Sequence, residues 1–389
     1  VIGAGLALAG VVEVGLDVVA ARHGDALAGK RVGLVANAAS LTKDGRATLD
    51  VLRGSGVEVV RLFAPEHGLT AATAAGEPVA DARDAGSGLP VVSLYGARLK
   101  PAPGELRDLD ALVFDLQDAG VRFYSYSSTL LRCLEAAAES GVELVVLDRP
   151  NPLGGERMEG PLADPGAAGV TALAPGPLVH GLTPAELARF ANARRERPAR
   201  LRVVAMRGWR RSMSWGDTGR AWVPPSPNLR TAEAALVYPG SALLEATNVS
   251  EGRGSDAPFL TIGAPWLEPG SLAALRAQGL ELTAARFTPR ASQAAPDAKY
   301  RDVECRGLRI AVKDAAGFRP YAFGLTLLQA LRRNRGFRWL REGAALDALL
   351  GTASVREALE RGDASEAIVA RDAAATEAFR RERAGALLY

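Results

Sequence analysis

The sequence predicts an α/β chain: a Rossmann-like, mostly parallel sheet with helices on both faces, followed by a smaller α+β C-terminal domain. Three observations lead there. Short β-branched runs alternate with helical stretches between residues 30 and 150, the pattern of parallel strands joined by crossover helices. Each of those runs ends in polar side chains. After residue 270 the alternation stops, and strand-like runs give way to charged helices.

In chain order, "KRVGLVAN" (30–37) reads as a strand, and "DGRATLDVLRGSG" as a helix closed by glycines. "VEVVRLFAPEHG", "LPVVSLYG" and "LDALVFDLQDAG" follow as strands. The helix "SSTLLRCLEAAAESG" and the strand "VELVVLDRPNP" complete the rhythm. In "HGLTPAELARFANARRE", Thr183 is the helix cap, with Pro184 in the first turn and Glu186 three residues on. "RLRVVAMRGW" reads as a further strand, and "AWVPPSPNLRT" holds too many prolines for a regular element. "YPGSALLEATNVSEGRGSDAPFLTIGAPWL" reads as a long loop, of the kind that usually carries function. "GLELTAARFTPR" and "YRDVECRGLRIAVKD" read as antiparallel strands, and "AFGLTLLQALRRNRG" and the charged end as helices. The expected division is 1–11, an export-signal remnant or flexible N-terminus; 12–240, the catalytic domain; and 241–389, the smaller domain that completes the cleft.

Composition narrows the class. The chain has 389 residues, and its 47 basic and 44 acidic residues are interspersed, so no basic face marks a nucleic-acid partner. No apolar run reaches the ~20 residues of a membrane helix. Cys133 and Cys305 share no metal-ligand spacing and read as buried thiols. No cofactor or metal is expected: the first strand runs into "ANAASLT" without a glycine-rich phosphate turn, and no His or Cys pair has ligand spacing.

Ligands of open α/β sheets bind outside the carboxyl ends of the strands. The tips here offer Asn37, Glu66 and His67, Tyr95, Asp115, Gln117 and Asp118, and then Arg149 and Asn151. At the end of an apolar strand, Glu66 is a candidate general acid, although such a carboxylate often only caps the next turn; Gly68 would let the backbone turn and leave room in front of the acid. Asp115, Asp118, Glu245 and Glu251 are candidates for the second carboxylate that glycoside cleavage needs. Tyr124 offers a stacking face; His180, Asn228 and Asn248 offer polar contacts; and Arg122, Arg149 and Arg253 offer cations for an anionic substrate group.

The motifs "VGLVANAAS", "LFAPEHG", "DLQDAGVRFYSY", "VLDRPNPLGG", "HGLTPAELA", "WVPPSPNLRT", "YPG", "LLEATNVSEGRGSDAPF", "GAPW" and the closing "LLY" occur in an order that resembles the exo-β-N-acetylmuramidase family, formerly a domain of unknown function. The resemblance runs from about residue 12 to the C-terminus. It implies a secreted or periplasmic glycosidase that removes N-acetylmuramic acid from the non-reducing end of peptidoglycan fragments, with a cleft between its two domains. It also implies that Glu66, in Pro-Glu-His-Gly, is the catalytic glutamate. The chain departs from the family pattern at "EATN", where Ala246 replaces a glycine, at "NAAS", and in the stretch before His180. Two other readings stand beside the hydrolase: a non-catalytic binder of muramyl fragments, and an NAD(P)-dependent oxidoreductase on the same scaffold.

Overall fold

The computed structural model describes residues 10–389 except 23, 25, 26, 168 and 269. The export-signal remnant expected at 1–11 falls almost wholly on residues 1–9, outside the described residues. The first half runs α1 (Gly15–Ala21), β1 (Arg31–Ala36), α2 (Thr48–Gly54), β2 (Glu58–Ala64), β3 (Ala82–Arg83), β4 (Pro90–Ser93), α3 (Pro103–Leu106), β5 (Ala111–Asp115), α4 (Ser125–Ser140) and β6 (Glu143–Leu147). It continues through β7 (Glu159–Leu162), β8 (Pro177–Val179), α5 (Pro184–Asn192) and β9 (Leu201–Val204).

Seven of these strands form one sheet in the order β3-β4-β2-β1-β5-β6-β9, parallel throughout except at the β3 edge. Successive side chains of a strand point to opposite faces, and both faces here are apolar. Val32, Leu34 and Ala36 of β1 pack with Leu16 of α1 and with Val51 and Leu52 of α2. Val35 points the other way, into a core with Phe63, Phe114 and the α4 residues Leu130 and Leu134. The helix expected from Thr183 forms with its capping box: the Thr183 side chain accepts from the Glu186 N–H, and Glu186 accepts from the Thr183 N–H.

The second half comprises α6 (Ala232–Ser241), β10 (Thr261–Ala264), β11 (Leu280–Phe287), β12 (Cys305–Val312), α7 (Pro320–Arg332), α8 (Ala344–Leu350), α9 (Ser354–Arg361) and α10 (Ser365–Glu382). Its sheet is antiparallel, β10-β12-β11. The long loop expected at 238–267 is only partly a loop. Tyr238-Pro239-Gly240 is the end of α6, a 3-10 turn covers Ala242–Ala246, and β10 occupies 261–264. Gly240 serves helix packing: a Cβ there would sit 2.2 Å from the Pro320 carbonyl oxygen, so α6 and α7 meet backbone to backbone. The boundary expected at 240/241 falls inside that helix.

The two halves share a continuous core, from Leu130 on α4 to Leu328 on α7. The C-terminal tail also returns to the first sheet. Arg383 donates to the carbonyls of Gly155, His180 and Gly181, the Leu388 N–H donates to Glu186, and the Tyr389 hydroxyl donates to Asp148 at 2.7 Å. Cys133 and Cys305 are buried free thiols. Among the described residues, no helix is long and apolar enough to cross a membrane.

Candidate active site

The site begins at the tip of β2, where Leu62, Phe63 and Ala64 are buried and Pro65 ends the strand. His67 and Gly68 both adopt left-handed backbone, with φ of 70° and 71°. A side-chain carbon at Gly68 would meet nothing nearer than 3.5 Å, so this glycine serves the turn and clears no space for the acid. The turn leaves the half-buried Glu66 facing a cavity of about 280 Å³. Its Oε1 accepts from the Gly76 N–H at 2.9 Å, and the Tyr95 hydroxyl, from the tip of β4, donates to the same carboxyl group. Burial, reinforced by the Glu66 charge, pushes the Tyr95 phenol up, so it stays a donor.

His67 is buried, with Nδ1 2.7 Å from the Thr73 carbonyl oxygen. A carbonyl only accepts, so Nδ1 carries the proton and Nε2 keeps its lone pair. Burial lowers the His67 pKa and the Arg253 charge lowers it further, while Glu66 and the Thr73 bond oppose them.

Glu245 closes the cavity from the other half, carried on the 3-10 turn that continues α6. Arg253 Nη2 donates to its Oε1 at 2.8 Å. Burial pushes the Glu245 pKa up against the attraction of Arg253, and the charges of Glu251 and Glu66 add to the rise. Glu251 lies behind. Burial acts to raise its pKa too, but Lys299, 2.9 Å from Oε2, and Arg253, with Nε 3.7 Å from Oε1, hold it below its ordinary value. Glu245 and Arg253 also line a second lobe of about 220 Å³ that Glu251 and Lys299 share. The cleft therefore has two joined compartments, with Glu66 and Glu245 both on the first.

Aromatic rings form part of the wall of the first compartment. Tyr238 stacks edge-on against Phe259 at 4.7 Å and Phe123 at 5.3 Å, and Tyr124 against Tyr126 at 4.8 Å. Asn228 donates to the Ala294 carbonyl at 2.7 Å, leaving its Oδ1 in the wall with no partner in the protein; Ser125 Oγ is in the same condition. A larger hollow of about 790 Å³ lies on the C-terminal sheet, but it is walled mainly by leucine and alanine and has Glu268 as its single carboxylate. Two carboxylates, Glu66 and Glu245, line the smaller cleft.

Of the residues expected at the site, Glu66, His67, Tyr95, Tyr124, Asn228, Glu245 and Arg253 line the first compartment, and Glu251 the second. The others lie elsewhere, and one physical fact accounts for most of them. The switch in strand order falls between β1 and β5, where an open α/β sheet usually holds its ligand, and here side chains fill that crevice. Asp115 is fully buried and bonded to Arg149 through both carboxylate oxygens, at 2.5 and 2.9 Å, with Thr48 on Oδ2. Asn37 bonds the Tyr126 hydroxyl, and Gln117 bonds the carbonyls of Asp118 and Pro150. Asp115, Arg149, Asn37 and Gln117 therefore hold the loops and do not reach substrate. The same filling leaves the oxidoreductase reading without its dinucleotide crevice.

Asp118 accepts from the Gly120 N–H and the Ser127 hydroxyl, and burial pushes it up to about 6. It faces a separate void of about 10 Å³ shared with His180, which burial pushes down to about 3. Asn151 bonds Leu182 and Leu153. Arg122 is fully buried and donates to the carbonyls of Pro161, Gly176 and Leu350, so it joins the halves and binds no substrate anion. Asn248 ties its loop to Gly336 and Arg338.

Sequence reasoning missed Tyr238, Ser226, Phe259 and Lys299. Tyr238 lay in plain view, an aromatic at the start of the Gly/Pro-dense stretch. Lys299 had no signal, because its partners lie about 50 residues away. Ala246, where the family pattern has glycine, is buried and takes no left-handed φ, so the extra methyl packs into the core.

Comparison with known proteins agrees over nearly the whole chain. The family described as exo-beta-N-acetylmuramidase NamZ matches with its N-terminal part at residues 32–233 and its C-terminal part at 236–389. The peptidoglycan beta-N-acetylmuramidase NamZ of Bacillus subtilis (strain 168) is 37% identical over 385 residues, covering 97% of this chain and 91% of that one. Two crystal structures of DUF1343 family proteins from Bacteroides fragilis NCTC 9343 superpose with TM-scores of 0.85 and 0.79, at 30% and 28% identity, each covering 97% of this chain and 99% of the other. The chain belongs to the exo-β-N-acetylmuramidase family.

Proposed function

We propose that the chain is an exo-acting glycosidase that hydrolyses the β-1,4 bond of a non-reducing terminal N-acetylmuramic acid in peptidoglycan fragments, with Glu66 and Glu245 as its carboxylate pair. One observation carries the proposal: two carboxylates from separate halves of the chain face a single cavity of about 280 Å³, with Arg253 bonded to one of them. Glycoside cleavage asks for that pair, one to protonate the leaving oxygen and one to act as base or nucleophile on the opposite side.

The surroundings divide the roles. Among the described residues, Lys299 pairs with Glu251, Arg253 pairs with Glu245, and Glu66 forms no ion pair. A proton donor suits the carboxyl group with no cation bonded to it. The Gly76 N–H on Oε1 holds the Glu66 carboxyl group in place at the cavity wall. Arg253, bonded to Oε1 of Glu245, supports its ionised form and with it the role of base or nucleophile. The aromatic walls of the first compartment suit the faces of one sugar ring. Peptidoglycan is a wall polymer, which supports a secreted or periplasmic place of action.

The test is incubation with a chromogenic N-acetylmuramic acid glycoside beside the matching N-acetylglucosamine glycoside. Hydrolysis of the first alone is expected. Saturable binding without product over hours would leave a muramyl-binding protein in place of an enzyme.

A further inference from the structure

We propose that Lys299 is a positioning residue for this reaction: it fixes the location and charge environment of Glu245 from behind, without bonding the sugar. The proposal rests on the reading of Glu245 as a catalytic carboxylate. An ammonium has three N–H donors. Lys299 places one on the Leu244 carbonyl at 2.8 Å, one on the Val249 carbonyl at 3.0 Å and one on Glu251 Oε2 at 2.9 Å. All three are occupied, so although Lys299 borders the second compartment it has no donor left for substrate.

The choice of acceptors shows what it does. Leu244 immediately precedes Glu245 and Val249 follows it by four residues, so a single side chain clamps both ends of the segment that carries the carboxylate. Its third bond starts an alternating row of charges. Glu251 is held by Lys299, Arg253 Nε lies 3.7 Å from Glu251, and Arg253 Nη2 bonds Glu245. Lys299 neutralises Glu251 and so leaves Arg253 to Glu245. Without that ammonium, the buried Glu251 would draw Arg253 toward itself and Glu245 would lose the support of two cations.

Glu245 is faced by Arg253 and Glu251 from its own segment, by Glu66 and His67 from the tip of β2, and by Tyr238 from α6. Lys299 stands on the 288–304 connection, with Glu77 and Asp297 on the wall of the second compartment. The Lys299 and Arg253 charges lower the Glu245 pKa, while Glu251 and Glu66 raise it. Lys299→Met and Glu251→Gln therefore act on it in opposite directions, although both break the same ion pair.

The experiment compares wild type, Lys299→Met, Lys299→Arg and Glu251→Gln in two ways. The first readout is the pH profile of kcat on the chromogenic muramic acid glycoside. The second is a 13C titration of labelled glutamate carboxyl groups, with Glu245 assigned through Glu245→Gln. Thermal melts confirm that each variant is folded. In Lys299→Met, kcat is expected to fall about tenfold or more with KM changed by less than about threefold, and Glu245 is expected to titrate about half a unit or more higher. Glu251→Gln is expected to move that titration lower, and Lys299→Arg to recover part of the loss. Wild-type titration of Glu245 in folded Lys299→Met, or shifts of the same sign in both variants, would overturn the proposal. The carboxyl titration gives its answer even if the wild type fails to cleave the glycoside, a result that would count against the functional reading instead.

Discussion

Replacing Glu66 by Gln keeps the shape of the side chain and removes the proton it can deliver. The Gly76 N–H that donates to Oε1 at 2.9 Å finds the same acceptor in the amide oxygen, and the Tyr95 hydroxyl can accept from the amide as readily as it donates to a carboxylate. Folding stability should therefore change by less than about 0.5 kcal/mol, the range of a substitution that keeps its partners. Catalysis should respond very differently. A positioned general acid contributes about 10²–10⁴ in rate, or about 3–5 kcal/mol of barrier. That contribution is needed when the leaving group is the hydroxyl of a second sugar, a strong base, and hardly needed when it is a nitrophenolate. The assay is a series of aryl muramic acid glycosides of falling leaving-group acidity, ending with a natural disaccharide, run with wild type and Glu66→Gln. The loss should grow along the series, from about tenfold or less with nitrophenyl to about 10³ or more with the disaccharide. An equal loss on every substrate would remove Glu66 from the proton-donor role, and wild-type turnover on the disaccharide would remove it from catalysis.

Three further outcomes test the surroundings of the site. Asp115→Asn leaves Arg149 buried without its counter-ion, so chemical denaturation should show a loss of about 3–5 kcal/mol, while kcat per folded molecule stays near wild type because Asp115 lies outside the cleft. Gly240→Val forces α6 away from the Pro320 carbonyl and displaces the adjoining turn that carries Glu245; melting should fall by several degrees and kcat should drop with it. Asp148, fully buried under the Tyr389 hydroxyl, is pushed up to about 7 by burial, against 3.8 as its ordinary value. The folded protein then holds a proton that the unfolded chain releases, so this contribution is complete below about pH 4 and is lost as pH rises through 7. Wild type should gain on Asp148→Asn as pH falls from 7 to 5, by at most about 1.4 kcal/mol per unit, and a stability difference flat across that range would contradict the assignment.

Much of the fold was legible because its causes are local. β-branched runs bounded by glycine and proline made the parallel strands, and Thr183 with Glu186 made a helix start, since both depend on backbone preferences a few residues wide. Local signals failed where distant packing outweighed them. Gly240 sits in a helix because α7 crosses it there, and β7 and β8 pair across a stretch without strand texture. The site shows the same division. Glu66 and Tyr95 were found from their places at strand ends, and Glu245 and Arg253 from a loop dense in glycine and charge. Asp115, Arg149 and Arg122 had equal claim on sequence grounds, and the structure buries them in bonds of their own.

The order of residues alone determined that this chain builds a parallel sheet with polar tips, since side-chain period and turn chemistry are written within a few positions. Only the tertiary structure decided which of those tips meet a ligand. Whether a buried charge is a tool or a tie depends on its partner, and the partners here stand far away in the chain: Arg149 is 34 residues from Asp115, Lys299 48 from Glu251, and Tyr389 241 from Asp148. No local pattern specifies a contact across such distances, because it exists only once the intervening chain has folded.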